Sequence, residues 1–195
     1  MTALSTPEGP KPLPAQGSWT YEDYRQLPED GWRYEVLEGV LHMTPAPRPI
    51  HQEILGNFLD LMRPFVKERR LGKVFFAPTD VLLPGDLGTP VQPDAFFISR
   101  ENSGFVRESY VKGAPELIVE VLSPSNWMDD RREKYRLYAQ AGVTEYWIVD
   151  PEPKTVEVFV LRRGSYELLG KYGTGESARS EVLEGFRPPL DEIFV

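Results

Sequence analysis

Cysteine is absent from this chain of 195 residues. Disulfide bonds and thiolate metal sites are therefore excluded, whereas a metal site built from carboxylate oxygens is not. No stretch approaches the ~18 consecutive apolar residues of a membrane-spanning helix. The first residues carry neither the basic nor the apolar segment of a secretory signal. We therefore expect a cytoplasmic protein with no membrane partner.

Several well-known catalytic motifs are also missing. The sequence contains no glycine-rich phosphate loop, no HExxH and no GxSxG, so P-loop hydrolysis, zinc proteolysis and α/β-hydrolase chemistry have no support. Positive charge is scarce, and the net charge is −8. This balance argues against a nucleic-acid coat protein but not against a nucleic-acid enzyme, because a local basic patch can bind the backbone. The candidate patches are Arg69-Arg70-Lys73, Arg131-Arg132-Arg136 and Arg162-Arg163.

The length fits one domain with a full core. Residues 1–18 are rich in proline, glycine and small side chains, which predicts a disordered tail. No repeat or internal linker interrupts the remainder, so residues 19–195 are expected to form a single domain.

Hydrophobic periodicity predicts a mixture of helices and strands. The expected elements are a helix over 20–27, a hairpin over 33–44, a long helix over 50–70, strands over 73–78, 80–84 and 91–99, a loop over 100–115, a central strand within 116–125, a helix over 126–141, a strand over 145–151, a hairpin over 155–172 and an apolar closing segment over 181–195. Pro64 is expected to bend or divide the long helix. The predicted fold class is α/β or α+β, with a mixed central sheet flanked by helices, an N-terminal hairpin and extra C-terminal strands.

The stretch 116-ELIVEVLSPS-125 places a charge inside an apolar strand. If Glu120 lay on a wet face, alternation would also expose Ile118 and Leu122, which argues against that alternative. A buried carboxylate costs several kcal/mol unless it is paired or binds a metal. Glu120 is therefore a candidate functional residue.

Two more charged residues stand at apolar positions. Asp94 follows a proline at the entry to an apolar run, and the alternative for it is an ordinary turn residue. Lys134 shares one predicted helix face with the apolar residues Leu137, Tyr138 and Ala141. The alternative for Lys134 is a solvated lysine among its charged neighbours.

Together these residues indicate one chemistry. Two carboxylates on neighbouring strands, Asp94 and Glu120, with the backbone carbonyl of Val121 at the strand end, would form the hard-oxygen site that suits Mg²⁺ or Mn²⁺. Lys134 could hold a water molecule or offset charge on a phosphate. The task implied is attack of metal-activated water on a phosphodiester.

This pattern resembles the PD-(D/E)XK nuclease superfamily. The usual lysine stands two places after the second acid, where this chain has Leu122. The superfamily allows that lysine to migrate to the following helix, where Lys134 lies. The resemblance is closer to the Uma-two-like branch of restriction-endonuclease-like proteins and covers about residues 20–195. The features that carry it are 35-EVLEGVLHM-43, His51, Pro93-Asp94, 115-PELIVEVLSPS-125, Asp129, Lys134, Tyr138, 142-GVTEYWIVDP-151 and 186-FRPPLDEIF-194.

The resemblance adds two candidate site residues. Glu35 matches the first acidic position of the family and would support the metal or its water molecules, with a surface charge as the alternative. His51, at the start of the long helix, would lie near the phosphate, with a cap or surface histidine as the alternative. Glu38 is expected to be a turn residue, Ser123 and Ser125 to end the strand and cap the next helix, and Asp129 and Asp130 to place negative charge at that helix N-terminus.

Two functions follow from the resemblance. The first is a Mg²⁺- or Mn²⁺-dependent endonuclease, with DNA favoured over RNA as the substrate. The second is a non-catalytic member of the same fold that binds nucleic acid or protein. A phosphohydrolase acting on a smaller substrate is a third possibility. The apolar C-terminal segment and the phenylalanine-rich strands favour a homodimer or higher homo-oligomer.

Overall fold

The computed structural model describes residues 13–28, 30–85, 90–123 and 130–195. The strands are β1 (Arg33–Leu37), β2 (Val40–Thr44), β3 (Gly72–Phe76), β4 (Val81–Leu82), β5 (Pro90–Val91), β6 (Ala95–Ser99), β7 (Val111–Lys112), β8 (Leu117–Val121), β9 (Glu145–Asp150), β10 (Thr155–Arg162) and β11 (Ser165–Tyr172). The α-helices are α1 (Tyr21–Tyr24), α2 (Pro49–Glu68), α3 (Tyr135–Ala141) and α4 (Leu190–Ile193). A 3₁₀ turn covers Ser103–Phe105, and a π-helical turn covers Asp130–Lys134.

A mixed sheet of six strands forms the centre of the fold, in the order β11-β10-β9-β8-β6-β3. β8 and β9 are parallel, and the other neighbouring pairs are antiparallel. Every residue of β8 is buried, because both faces of the sheet are covered. The predicted mixed α/β architecture with a central strand at 117–121 is confirmed.

Helix α2 and the C-terminal segment cover one face of the sheet. Alternate residues of β8 point to this side, and they pack with the apolar stripe of α2 and with Phe186, Leu190 and Phe194. The closing segment predicted over 181–195 therefore packs as expected. Pro64 lies inside α2 without dividing it. Because these apolar side chains are buried within one chain, they no longer support the predicted homo-oligomer.

Helix α3 covers the opposite face, together with a small sheet of order β5-β4-β7. The strand predicted over 80–84 is shorter in the structure, since only Val81–Leu82 is a strand, and it belongs to the small sheet. The predicted loop over 100–115 contains the 3₁₀ turn and β7. These short elements depend on long-range pairing, which local periodicity does not reveal.

The helix predicted over 126–141 is described only from residue 130 onwards. Its first turn, Asp130–Lys134, is π-helical rather than α-helical, and it ends as predicted at Gly142, whose φ is 85°. A π-helical turn changes the angular spacing of side chains and is frequent at functional sites. Ser125 and Asp129 lie outside the described residues.

Both predicted hairpins are present. β1 and β2 pair through Glu38 and Gly39, and β10 and β11 pair through Arg163 and Gly164. All four turn residues have positive φ, as a tight two-residue hairpin requires. Gly39 also approaches Gly17 so closely that a Cβ there would lie 2.7 Å from the Gly17 carbonyl oxygen.

The segment just before α1 contacts the first hairpin. Gly17 N–H donates to the Gly39 carbonyl at 2.8 Å, and the side chain of Gln16 bonds to the backbone of Leu41. Part of the predicted tail is thus held against the domain. Thr20 caps α1 through a capping box with Asp23, as its sequence predicts. No helix in the described part of the chain is long and apolar enough to cross a membrane.

Candidate active site

Strand β1 places Arg33 and Glu35 on one face, because side chains two residues apart on a strand share a side. Both side chains are largely buried, and Arg33 Nη2 lies 4.0 Å from Glu35 Oε1. The backbone N–H of Gln92, just after β5, donates to Glu35 Oε1 at 2.8 Å. The first hairpin therefore delivers one carboxylate and one guanidinium to the interior.

Asp94 lies immediately before β6 and is buried. Its Oδ1 accepts a hydrogen bond from Arg33 Nη1 at 2.7 Å. Its Oδ2 is bonded to His51 Nε2 at 3.0 Å and accepts from the backbone N–H of Val121 at 2.9 Å. Asp94 thus joins the first hairpin, the start of α2 and the end of β8. An ordinary turn residue has no such contacts.

Lys134 joins two carboxylates from different elements. Its Nζ lies 3.0 Å from Glu120 Oε1 and 3.1 Å from Glu35 Oε2. The lysine side chain is only 3% exposed and that of Glu120 only 1%. Tyr138, one turn further along, donates its hydroxyl to the same Glu120 oxygen at 2.7 Å. The alternative of a solvated lysine is therefore wrong. Lys134 lies on the buried face of its helix, as predicted.

The cations of the site set the ionisation of its acids. Burial by itself raises the pKa of Glu35, but Lys134, Arg33 and the hydrogen bond from Gln92 bring that pKa below its ordinary value. Burial likewise acts to raise the pKa of Asp94, and Arg33 and His51 hold it well below its usual range. Both carboxyl groups are therefore ionised at neutral pH.

Two neighbours of these carboxylates, Arg33 and Tyr138, keep their protons. Burial acts to lower the pKa of Arg33, but the charges of Glu35, Asp94 and Glu120 raise it above its ordinary value. Burial and the charge of Glu120 raise the pKa of the Tyr138 hydroxyl well above its ordinary value. Arg33 thus stays a cation, and Tyr138 stays a hydrogen-bond donor.

Three carboxylates and two cations meet here, so Glu35, Asp94, Glu120, Arg33 and Lys134 together carry one negative charge. Carboxylate oxygens suit a hard divalent cation. Within residues 13–28, 30–85, 90–123 and 130–195, however, no group of three or more histidine, aspartate or glutamate side chains is arranged to hold a metal ion. Lys134 Nζ instead bridges Glu35 and Glu120. The metal role of Asp94, Glu120 and the Val121 carbonyl stays a prediction.

His51 connects this cluster to a cleft of about 500 Å³. It is buried in the first turn of α2, so the alternative of a surface histidine is wrong. The cleft is also lined by Arg48, Leu122, Ser123 and Asp150. The structure thus brings together all five side chains that the sequence predicts for the site, which are Glu35, Asp94, His51, Glu120 and Lys134.

Glu38 is a turn residue, as predicted, and it pairs with exposed Arg136 of one candidate basic patch. Arg162 of another candidate patch pairs with Glu181. Ser123 follows β8 at the edge of the cleft.

Sequence reasoning missed two members of the site. Arg33 is not among the predicted site residues, although its position two residues before Glu35 places it on the same face of the strand. Tyr138 was assigned to the core, although its i+4 spacing from Lys134 places it on the lysine's face. The spacing shows which face each side chain shares but not which partner it meets, because each contact joins different elements of the fold.

Comparison with known proteins identifies the family of the chain. The family model of Uma2, described as "Putative restriction endonuclease", matches residues 21–191. The chain belongs to the Uma2 family. The match covers the first hairpin, β6, β8, Lys134 and β9. No curated protein matches the chain.

A solved structure shares the fold. It is the crystal structure of a "putative nuclease belonging to DUF820" from Anabaena variabilis ATCC 29413. The TM-score is 0.73 at 18% sequence identity, and the alignment covers 90% of this chain and 97% of that chain. At this identity the likeness shows the fold alone, which is the predicted mixed central sheet flanked by helices.

Proposed function

We propose that this Uma2 protein is a metal-dependent endonuclease that hydrolyses phosphodiester bonds of DNA. The observation that carries the proposal is the buried lysine, Lys134, held between Glu35 and Glu120 beside Asp94. Buried ionic clusters of this kind stabilise a fold less than an apolar core of the same volume. The presence of such a cluster in a chain whose family is described as "Putative restriction endonuclease" favours a catalytic role.

The predicted ligands are oxygens of two carboxylates and one backbone carbonyl, the ligand type that Mg²⁺ and Mn²⁺ prefer. Asp94, Glu120 and the carbonyl of Val121 would hold the ion, which would supply Lewis-acid activation of the attacking water and charge compensation at the phosphate. Lys134 would orient that water or stabilise charge that develops on the phosphate. Glu35 would fix Lys134, and His51 would fix Asp94 near the phosphate.

A plasmid-cleavage assay tests the proposal. The purified chain should cut supercoiled plasmid in Mg²⁺ or Mn²⁺ and not in EDTA. Lys134→Ala should slow cutting by on the order of 10²-fold, the size expected for one positioned acid–base or charge-stabilising group. Asp94→Asn should lose both metal binding and cutting. Lys171→Ala, which removes an exposed lysine paired with Glu157, should cut at the wild-type rate.

Melting curves for each variant would separate lost chemistry from lost folding. If Lys134→Ala, Glu120→Gln and Asp94→Asn all cut as fast as the wild type, the activity would belong to a contaminant and the proposal would fail.

The second candidate is a non-catalytic member of the family. The observation that favours it is that Lys134 is already engaged by two carboxylates. This candidate predicts DNA or protein binding without cleavage in any metal, and binding that survives Lys134→Ala.

A further inference from the structure

Three exposed cations line one groove at the edge of the central sheet. The groove has a volume of about 250 Å³ and lies where β3 begins and β6 ends. Its cations, all exposed, are Arg70, Lys73 and Arg100. Among the described residues that line the groove, none is acidic, and Ser103 adds an exposed hydroxyl group. The groove therefore concentrates positive charge on a chain whose net charge is −8.

The charges of the groove are not neutralised by the protein. Within the described ranges of the chain, none of the three cations forms an ion pair with an acid, and Arg100 donates to the backbone carbonyl of Arg70. Arg136 and Arg162, which belong to the two other basic patches of the sequence, are both paired with acids. Unpaired cations can neutralise phosphates and release the counterions of a nucleic acid.

Arg70 has a backbone conformation that favours glycine. It follows Arg69, the residue that caps the end of α2, and its φ is 55°. Many helices end with a residue in this left-handed conformation, and glycine is usual there because it has no Cβ. Strained residues of this kind cluster at binding sites. The arginine at this position therefore favours a role for its side chain.

Strand β6 connects the groove to the candidate active site. Asp94 directly precedes this strand, and Ser99, which lines the groove, ends it. The five residues of β6 span about 17 Å. One strand of B-DNA covers that length in about five nucleotides, at about 3.4 Å each. A duplex whose backbone lies in the groove thus reaches the candidate active site within one helical turn.

We propose that this groove binds the phosphate backbone of double-stranded DNA outside the candidate active site. Exposed cations contact phosphates rather than bases, so the binding is independent of base sequence and sensitive to salt. Of the three candidate basic patches, this inference selects the one that contains Arg70 and Lys73. It rests on the proposed function, because it takes the proposed DNA substrate as the ligand.

Two triple variants of equal charge test the inference. The groove variant combines Arg70→Ala, Lys73→Ala and Arg100→Ala. The control combines three exposed arginines of the two other patches, in the substitutions Arg136→Ala, Arg162→Ala and Arg163→Ala. Each variant loses three positive charges and changes one arginine of positive φ. A general effect of net charge would therefore be the same in both.

The measurement is fluorescence anisotropy of a labelled DNA duplex of about 20 base pairs in EDTA, at several NaCl concentrations. Each phosphate contact made by a cation contributes about 0.9 to the slope of log K against log [NaCl]. The groove variant should lower that slope by about 2.7 and bind at least about 10-fold more weakly in about 0.1 M NaCl. The control should keep the slope and bind within about 3-fold of wild type, because salt screens distant charges.

Arg70→Gly separates binding from folding. This substitution removes one cation and places the residue that suits a left-handed φ at the end of α2. It should lower the slope by about 0.9 without lowering the melting temperature. If the groove variant fails to fold by its melting curve, Arg70→Gly decides, and wild-type affinity and slope in that variant would overturn the inference.

The outcomes distinguish this inference from the proposed function. Wild-type affinity and slope in the groove variant would overturn the inference, and so would equal weakening in both triple variants. A wild-type chain that cuts plasmid in Mg²⁺ but does not bind the duplex in EDTA would overturn the inference alone. A wild-type chain that neither binds nor cuts DNA would overturn both.

Discussion

Glu120 and Glu145 are buried carboxylates on neighbouring parallel strands, and their partners differ in kind. Glu145 accepts hydrogen bonds from four neutral donors, which are Trp147 Nε1, Ser180 Oγ and the backbone N–H groups of Glu181 and Val182. Glu120 is held by a buried ammonium and a tyrosine hydroxyl. Neutral donors that fill every acceptor position indicate a structural carboxylate, whereas a buried ion pair marks a candidate site.

At the residue scale, Lys134→Met should strongly destabilise the chain. It leaves Glu35 and Glu120 buried without their shared cation, which costs about 3–5 kcal/mol of the free energy of unfolding. Lys171→Met is the matched control, because Lys171 pairs with Glu157 at 2.8 Å but is 52% exposed. Its loss should cost less than about 1 kcal/mol. Urea unfolding of both variants measures the difference, and equal losses would refute a buried ionic cluster.

The lowered pKa values of Glu35 and Asp94 predict an acid-dependent stability. Carboxyl groups titrate near pH 4 in an unfolded chain. Below that pH the unfolded chain takes up protons that the folded chain does not, so stability is complete above about pH 5 and falls as the pH decreases. Melting temperatures from pH 7 to pH 3 should show a smaller decrease for Glu35→Gln than for wild type. Parallel curves would contradict the assigned shift.

At the scale of elements, Glu145 ties β9 to the C-terminal segment. Its side chain accepts hydrogen bonds from Trp147 on the same strand and from Ser180, Glu181 and Val182. The last three residues come just before the apolar residues that pack with α2. One buried carboxylate thus holds the C-terminal segment against β9 at residues 180–182. The active-site elements do not use it, since Glu145 lies on the opposite face of the sheet from Glu120.

We therefore expect Glu145→Gln to weaken the fold without altering the chemistry. The introduced amide group would face hydrogen-bond donors, and unmet buried donors cost about 1–3 kcal/mol of the free energy of unfolding. Cleavage per folded molecule should equal that of wild type at a temperature where both are folded. A large loss of cleavage rate would assign Glu145 to the functional site instead.

At the scale of the whole molecule, the proposed DNA substrate would approach a chain with an excess of negative charge. The net charge is −8, and long-range repulsion of DNA follows from it at low salt. The described basic side chains Arg136 and Arg162 are paired with acids. Under the proposed function, a bound divalent cation would supply part of the positive charge that a phosphate backbone needs. The predicted homodimer is a separate matter, which sedimentation velocity would decide.

Bound Mg²⁺ or Mn²⁺ should raise the thermal stability of the whole domain. A cation that binds only the folded chain adds about 2.7 kcal/mol at a concentration 100 times its dissociation constant, or several degrees in melting temperature. Glu120→Gln should lose the increase relative to EDTA. Glu145→Gln, a buried glutamate on the neighbouring strand, should keep it. Equal midpoints of the wild type in EDTA and in millimolar metal would argue against a metal site.

The sequence by itself determined the central strand, both hairpins, the inward face of Lys134 and the abnormal burial of Glu120. Each of these follows from neighbours a few residues away, through alternation, turn chemistry or helical spacing. Only the tertiary structure decided that Arg33 donates a hydrogen bond to Asp94, 61 residues away, and that the Tyr138 hydroxyl donates to Glu120. It also decided that Val81–Leu82 pairs within the small sheet. Periodicity shows that a side chain is buried but not which charge it meets, because ion pairs between distant segments depend on how the elements pack together.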